Sequence, residues 1–399
     1  MQSLSLPGGA PSYKGALLGA AAALGAAALW NHVQARQAES EHPPRGRFVE
    51  IGGVPLHFLE RGHGRPVVLL HGNMTLAEEI AASGLLDLTA ARYRTVAFDR
   101  PGYGYSDRTR DRVWTPAVQA DLLHEAFRQL GLERPIVVGH SFGTVVALEL
   151  ALRRPEAVGA LVLLSGYYFP TARIDVPLLA PPAIPVVGDV LRHTVSPLLG
   201  RLGWRGLGRL LFGPAPVTPG FDALKGMMLR PSQIRASASE SAMLVPMVAG
   251  LQHRYQELTM PVVIGAGADD RYIGTEAQSV RLHRLLPRSE LRVLPDAGHM
   301  VHHTAPREAL AAIELAVRRA NHAGASAARH LALVEEELQA EAPVVEATRT
   351  AGDAASTAGT ETWSDPMAEA PGAAGQAEAP AEAAGTAEEA ERGGAGRGG

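Results

Sequence analysis

Short apolar runs recur through the middle of the chain, and amphipathic stretches lie between them. Residues 67–70, 95–99, 136–138, 160–164 and 260–267 are nearly continuous apolar segments. That is the pattern of strands buried on both faces. Residues 47–51 and 56–60 alternate instead and are separated by Gly52-Gly53, which predicts an antiparallel hairpin at a sheet edge. Residues 290–294 form the last predicted strand. Between the strands, 115–130 carries apolar residues at helical spacing, with Thr115 placed to cap it, Pro116 in its first turn and Gly131 to end it. Helical patterns also follow residue 144, cover 275–286 and run from Thr304 and Pro306 to about 320. Strands alternating with helices imply a doubly wound, mostly parallel sheet. That core spans 47–165 and 259–320.

Three stretches depart from the rhythm. Residues 166–258 are crowded with prolines and large apolar side chains and show no strand–helix repeat, apart from a helical stretch over 232–248. They are expected to form an inserted helical cap over the site. Near the start, 15–30 reads GALLGAAAALGAAALW without a charge. Taken to residue 33 it approaches the length of a membrane span, about 20 residues. We expect a membrane-anchor helix over 15–33, after a polar segment at 1–14 and before a polar linker at 34–46. A cleaved signal peptide, with Val33-Gln34-Ala35 as a poor cleavage match, and a soluble Ala-rich helix are the alternatives. At the other end, 321–342 predicts a further helix. Residues 343–399 are Ala, Glu, Gly, Pro and Thr with few large apolar side chains, so disorder is expected there.

The net charge of −4 on 399 residues offers no electrostatic case for nucleic acid. The tail from Pro343 on holds ten acids and three arginines, or −7, so the remainder carries +3. The chain has no cysteine, which excludes disulfides, thiolate catalysis and Cys-based metal sites.

The chemistry gathers at the ends of the predicted strands. Ile136-Val137-Val138 runs into Gly139-His140-Ser141-Phe142-Gly143, and a helical pattern follows at once. Strand, tight turn and helix are the setting of a nucleophile elbow, where small neighbours leave a serine hydroxyl exposed above a helix N-terminus. A serine hydroxyl needs a base, and the base needs an orienting acid. Ser141, Asp270 and His299 occur in that order, each just after a predicted strand. Asp269 is the rival acid, and His302 and His303 are rival bases. His71 and His140 are expected to bond backbone around turns. Backbone N–H groups of Phe142 and of Asn73 or Met74 are the expected oxyanion donors. No metal or cofactor is needed for this chemistry.

From 48 to 320 these motifs make the chain resemble the α/β-hydrolase superfamily, in its cap-bearing branch. They are His71-Gly72-Asn73, Asp99 to Ser106, Gly139 to Gly143, Gly267 to Asp270 and Gly298-His299. The resemblance implies the α/β-hydrolase fold and an esterase-like activity; the apolar content of 166–258 separately suggests an apolar acyl or alkyl pocket. The branch includes carbon–carbon bond hydrolases and cofactor-free perhydrolases. It also includes epoxide hydrolases and haloalkane dehalogenases, which use an Asp where this chain has Ser141. A ligand-binding protein with little turnover is the alternative from a different class.

Overall fold

The computed structural model describes residues 13–173 and 175–341. The chain opens with a long helix, α1 (Tyr13–Glu41), and then a hairpin of β1 (Arg47–Ile51) and β2 (Val54–Arg61). Next come β3 (Pro66–Leu70), the short helices α2 (Ala77–Ala82) and α3 (Leu85–Ala90), and β4 (Arg94–Phe98). Helix α4 (Pro116–Leu130), β5 (Ile136–His140), α5 (Phe142–Arg153) and β6 (Ala160–Leu164) follow. The sheet resumes with β7 (Val262–Gly267) and ends with β8 (Glu290–Leu294).

The eight strands lie in the order β1-β2-β4-β3-β5-β6-β7-β8. Only the β1–β2 and β2–β4 pairs are antiparallel; the others are parallel. The doubly wound sheet expected from the alternation is therefore present. Strands β5 and β6 are buried at every residue, which their Val, Ile and Leu content allows. One face of the sheet packs against α4 and α5 through residues such as Leu123, Phe127 and Val146. The other packs against α2, α3 and the closing helix through Ile80, Leu86 and Ile313. Thr115 caps α4 by accepting a hydrogen bond from Val118 N–H, and Gly131 ends it in a left-handed conformation.

Among the described residues no strand interrupts the path from β6 to β7, and six α-helices occupy it: α6 (Val176–Leu179), α7 (Val187–His193), α8 (Val195–Phe212), α9 (Pro219–Ala223), α10 (Lys225–Met228) and α11 (Pro231–Leu251). Trp204, Phe212, Phe221 and Met228 build a third apolar cluster here with Leu76 and Met300 of the sheet's loops. After β7, a π-turn at Glu276–Val280 leads into α12 (Arg281–Leu285). Beyond β8 stand α13 (Val301–Thr304) and α14 (Pro306–Glu341).

Two expected boundaries change. The segment 34–46 was expected to be a linker, yet α1 runs through it to Glu41. Its Ala, Gln, Arg and Glu residues are strong helix formers, and Pro43-Pro44 stops the helix only later. The closing helix and the separate helix expected at 321–342 are one, α14. The intervening Gly324 weakens a helix without breaking it. The tail at 343–399 and most of the polar segment 1–14 lie outside the described residues.

Candidate active site

The elbow between β5 and α5 is tight. Ser141 takes φ 52° and ψ −120°, a strained conformation for a residue with a side chain. The residues two positions to either side cannot carry one. A Cβ on Gly139 would lie 2.6 Å from Gly143 O, and one on Gly143 would lie 2.4 Å from Leu70 O. These two glycines let the helix approach the sheet closely enough to hold Ser141 above it. Thr144 Oγ1 donates to Ser141 O at 2.6 Å and pins the turn.

Ser141, His299 and Asp270 come together as the chain order predicts. His299 Nε2 lies 3.0 Å from Ser141 Oγ, and His299 Nδ1 lies 2.8 Å from Asp270 Oδ2. The other carboxylate oxygen of Asp270 accepts from Tyr272 N–H and Ile273 N–H, both at 3.0 Å. Burial works against ionising Asp270. The His299 imidazole and those two N–H groups outweigh it and hold the carboxyl below its usual range. An ionised Asp270 keeps the proton of His299 on Nδ1 and leaves Nε2 free to accept from the hydroxyl. All three residues are buried. Tyr272 packs edge-on against His299, with centroids 5.1 Å apart. Asp269 is only half-buried and stands one residue away from this chain of hydrogen bonds.

The loop after β3 sits beside the serine: a Cβ on Gly72 would come within 3.0 Å of Ser141 Cβ. The N–H of Met74 is engaged by Asn73 Oδ1 at 2.7 Å. Of the two expected donors from this loop, the Met74 amide is thereby already taken. Phe142 opens α5, where its N–H has no intrahelical partner by position. A narrow pocket lies above Ser141. The sheet's loops contribute Met74, Tyr272 and Met300, and the helices between β6 and β7 contribute Leu179, Trp204, Leu207, Leu211, Phe221 and Met228. No Lys or Arg lines it.

Those helices also brace the loops. Leu211 O accepts from His299 N–H at 2.8 Å and from Met300 N–H at 3.2 Å, so the end of α8 holds the histidine loop. Arg100, wholly buried, forms two bonds to Glu240 of α11 and one each to His71 O and Gly72 O. Glu240 also accepts from Tyr103 OH. Burial raises the cost of ionising Glu240, but Arg100 overcomes it and keeps the carboxyl below its usual range. His71 accepts from Arg100 N–H and faces Gly72 O. Burial and the Arg100 charge lower its pKa to about 4, so it is neutral. His71 and His140 thus bond backbone, as expected; His140 Nε2 lies 3.0 Å from His299 O.

His302 and His303, the rival bases, are drawn elsewhere. Their Nε2 atoms lie 2.6 and 2.5 Å from Glu79 Oε1, and all three side chains are buried. Burial opposes the charge on Glu79, yet the two imidazoles hold it well below the usual range. The His302 ring packs at a tilt against His140, with centroids 4.3 Å apart, and His140 lies 4.9 Å from His299. Three potential metal-ligating atoms converge at Glu79. Ligands around a first-row cation stand about 3 Å or more apart at metal–ligand distances near 2.1 Å, so these shorter contacts are hydrogen bonds. Nothing in the sequence pointed to Glu79 or Glu240. Glu79 stands beside Glu78 in α2 and Glu240 is the lone acid of α11, and the partner of each is set by tertiary packing.

The model of the alpha/beta hydrolase family matches residues 67–313. The chain is 26% identical over 271 residues to a 2-hydroxymuconate semialdehyde hydrolase of Pseudomonas putida, covering 66% of this chain and 90% of that protein. It is 26% identical over 282 residues to haloalkane dehalogenase 2 of Mycobacterium tuberculosis (strain H37Rv), covering 68% and 94%. Among solved structures, a membrane phospholipase A described as a bacterial virulence factor aligns with a TM-score of 0.56 at 21% identity, over 77% of this chain and 99% of that one. With the sheet order and the elbow already in place, the chain is a hydrolase and belongs to the alpha/beta hydrolase family.

Proposed function

We propose that the protein is a serine hydrolase that cleaves an apolar carboxylic ester through an acyl-enzyme. The observation that carries this is the hydrogen-bonded chain from Ser141 Oγ through His299 to Asp270, at the floor of an apolar pocket. Ser141 attacks the ester carbonyl while His299 Nε2 takes its proton. Asp270 holds the imidazole in the required tautomer and stabilises its charged form. The N–H groups of Phe142 and Asn73 receive the oxyanion. His299 then protonates the departing alcohol. Water, deprotonated by the same imidazole, adds to the acyl carbon and releases the acid and free Ser141.

The second reading is cleavage of a carbon–carbon bond by the same residues; the Pseudomonas putida relative is named a 2-hydroxymuconate semialdehyde hydrolase. An acidic substrate of that kind calls for a cationic group in the pocket. The lining here offers none, which favours a neutral, apolar ester. The helices α6 to α11 serve as a cap whose inner face shapes the acyl site. Helix α1 tethers the enzyme to a membrane: it is long and apolar enough to cross one, and its first half lies outside the folded domain.

The test is intact-mass labelling with a fluorophosphonate on the wild type and on Ser141→Ala, beside hydrolysis of p-nitrophenyl esters of increasing acyl length. One adduct on the wild type and none on the variant supports the assignment. No adduct on folded wild type sinks it and favours a ligand-binding role.

A further inference from the structure

We infer that the outward face of α8 and its neighbours rests on the bilayer that α1 enters, so that the esters reaching Ser141 come from bilayer lipids. This rests on the hydrolase reading and names its substrate class.

The argument starts at α1. Residues 13–26 are exposed throughout, and nothing lies within 4 Å of a Cβ placed on Gly19 or Gly25. At 1.5 Å per residue, residues 13–30 extend roughly 27 Å, close to the ~30 Å hydrocarbon core. The helix meets the domain where the apolar run ends. Asn31 Nδ2 donates to His193 O and Thr194 O, at the junction of α7 and α8. The Arg201 guanidinium of α8 sits 4.9 Å from the Trp30 ring centroid. A tryptophan under a guanidinium suits the headgroup level, where one side is apolar and the other wet. Those contacts fix α8 at that level.

Helix α8 is apolar on both sides. Inward it buries Trp204, Leu211 and Phe212. Outward it exposes Val195, Leu199, Leu202 and Leu210, with Leu202 82% exposed. These recur at spacings of three, four and eight, so they form one stripe. Arg205 and Arg209 border it and are exposed too. From 190 to 221 there are four arginines and no acid. Leu178 on α6, Val186 just before α7 and Val187 at its start are exposed as well. An apolar stripe edged by guanidiniums and continuous with an apolar helix matches an anionic lipid surface. The inner residues of the same helix, Trp204, Leu207 and Leu211, line the pocket. A lipid acyl chain leaving the bilayer therefore has about one helix diameter to travel, roughly 10 Å.

The full chain has no cysteine, so single cysteines can be placed at will. Leu202→Cys and, at an exposed position of α4, Gln129→Cys are labelled with an environment-sensitive fluorophore. Each is reconstituted into vesicles of equal parts phosphatidylcholine and phosphatidylglycerol. The label at 202 should be quenched roughly twofold or more by a lipid carrying a shallow spin label, and the label at 129 should not. Equal behaviour at both positions overturns the docking. So does protection at 202 that follows protein concentration instead of lipid, which would mean a second copy covers the stripe. In a second arm, Leu199→Asp with Leu202→Asp should lower hydrolysis of vesicle phosphatidylglycerol about tenfold or more, with turnover of soluble p-nitrophenyl butyrate within about twofold. Parallel loss of both activities, or loss of neither, overturns the lipid assignment. If the wild type hydrolyses neither ester, the hydrolase reading fails and takes the substrate class with it. The quenching arm still decides the docking.

Discussion

Two buried clusters in this protein use the same residue types and are built for opposite ends. In one, Asp270 faces His299, and the far nitrogen of that imidazole reaches the Ser141 hydroxyl beneath an apolar pocket. In the other, Glu79 faces both His302 and His303, and the arrangement is sealed; Thr218 Oγ1, 2.9 Å from His303 Nδ1, is its outermost bond. Both carboxyls are held below their usual range against the cost of burial. A carboxylate–imidazole pair is thus no sign of chemistry by itself. Access to a third group and to a substrate volume separates a reactive pair from a structural one.

The largest expected effect lies in the open cluster. His299→Ala should reduce kcat for a soluble ester about 10⁴-fold or more, with little change in thermal midpoint. Asp270→Asn should cost somewhat less, about 10³- to 10⁴-fold in kcat, because the histidine loses its required tautomer. Steady-state kinetics beside a thermal melt checks both. The sealed cluster should reverse that pattern. Glu79→Ala leaves two imidazole N–H groups buried without an acceptor and should destabilise the fold by roughly 3 kcal/mol in denaturant unfolding, with kcat within about threefold. A hundredfold fall in kcat at unchanged stability would erase the distinction between the clusters.

Acid should expose the same contrast. His71, His140 and His302 all have pKa values lowered by burial, His71 to about 4. Unfolded, each takes up a proton near pH 6.5. Folded, each resists until lower pH. Their contribution to stability is complete above about pH 6.5 and is lost as pH falls below it, by about 1.4 kcal/mol per pH unit for each histidine. Melting at pH 7, 6 and 5 should show a falling midpoint, and a flat one would mean that these imidazoles are charged in the fold. The smallest effect belongs to Thr218→Val, which removes one hydrogen bond to His303 and should cost about 1 kcal/mol in unfolding free energy.

The legible parts of the molecule were those with local causes. The alternation of apolar runs and amphipathic stretches is written residue by residue, so the sheet and the elbow could be read in order. That Ser141, Asp270 and His299 meet could be read because each follows its strand directly. Met74 was less legible: whether its N–H or that of Asn73 faces the site depends on how the Asn73 side chain turns. Glu240 and Glu79 were illegible for a different reason. Their partners lie 140 positions before and 223 positions after them, and no period or motif connects residues so far apart. The extension of α1 through 34–41 followed from ordinary helix propensity, which the polar composition of the stretch obscured.

The bond between Arg100 and Glu240 also has a consequence during synthesis. When the ribosome has released the first six strands, Arg100 already sits in sequence among residues destined for burial, and its counter-ion has yet to be translated. Until then the guanidinium has only the neutral acceptors His71 O, Gly72 O and Gln119 Oε1, so its charge is unpaired and the turn that carries Gly72 stays loose until α11 emerges. The proposed relay closes later still, once Asp270 and His299 have followed α11. A nascent chain that stalls between β6 and α11 carries the whole elbow without Asp270, His299 or the counter-ion of Arg100.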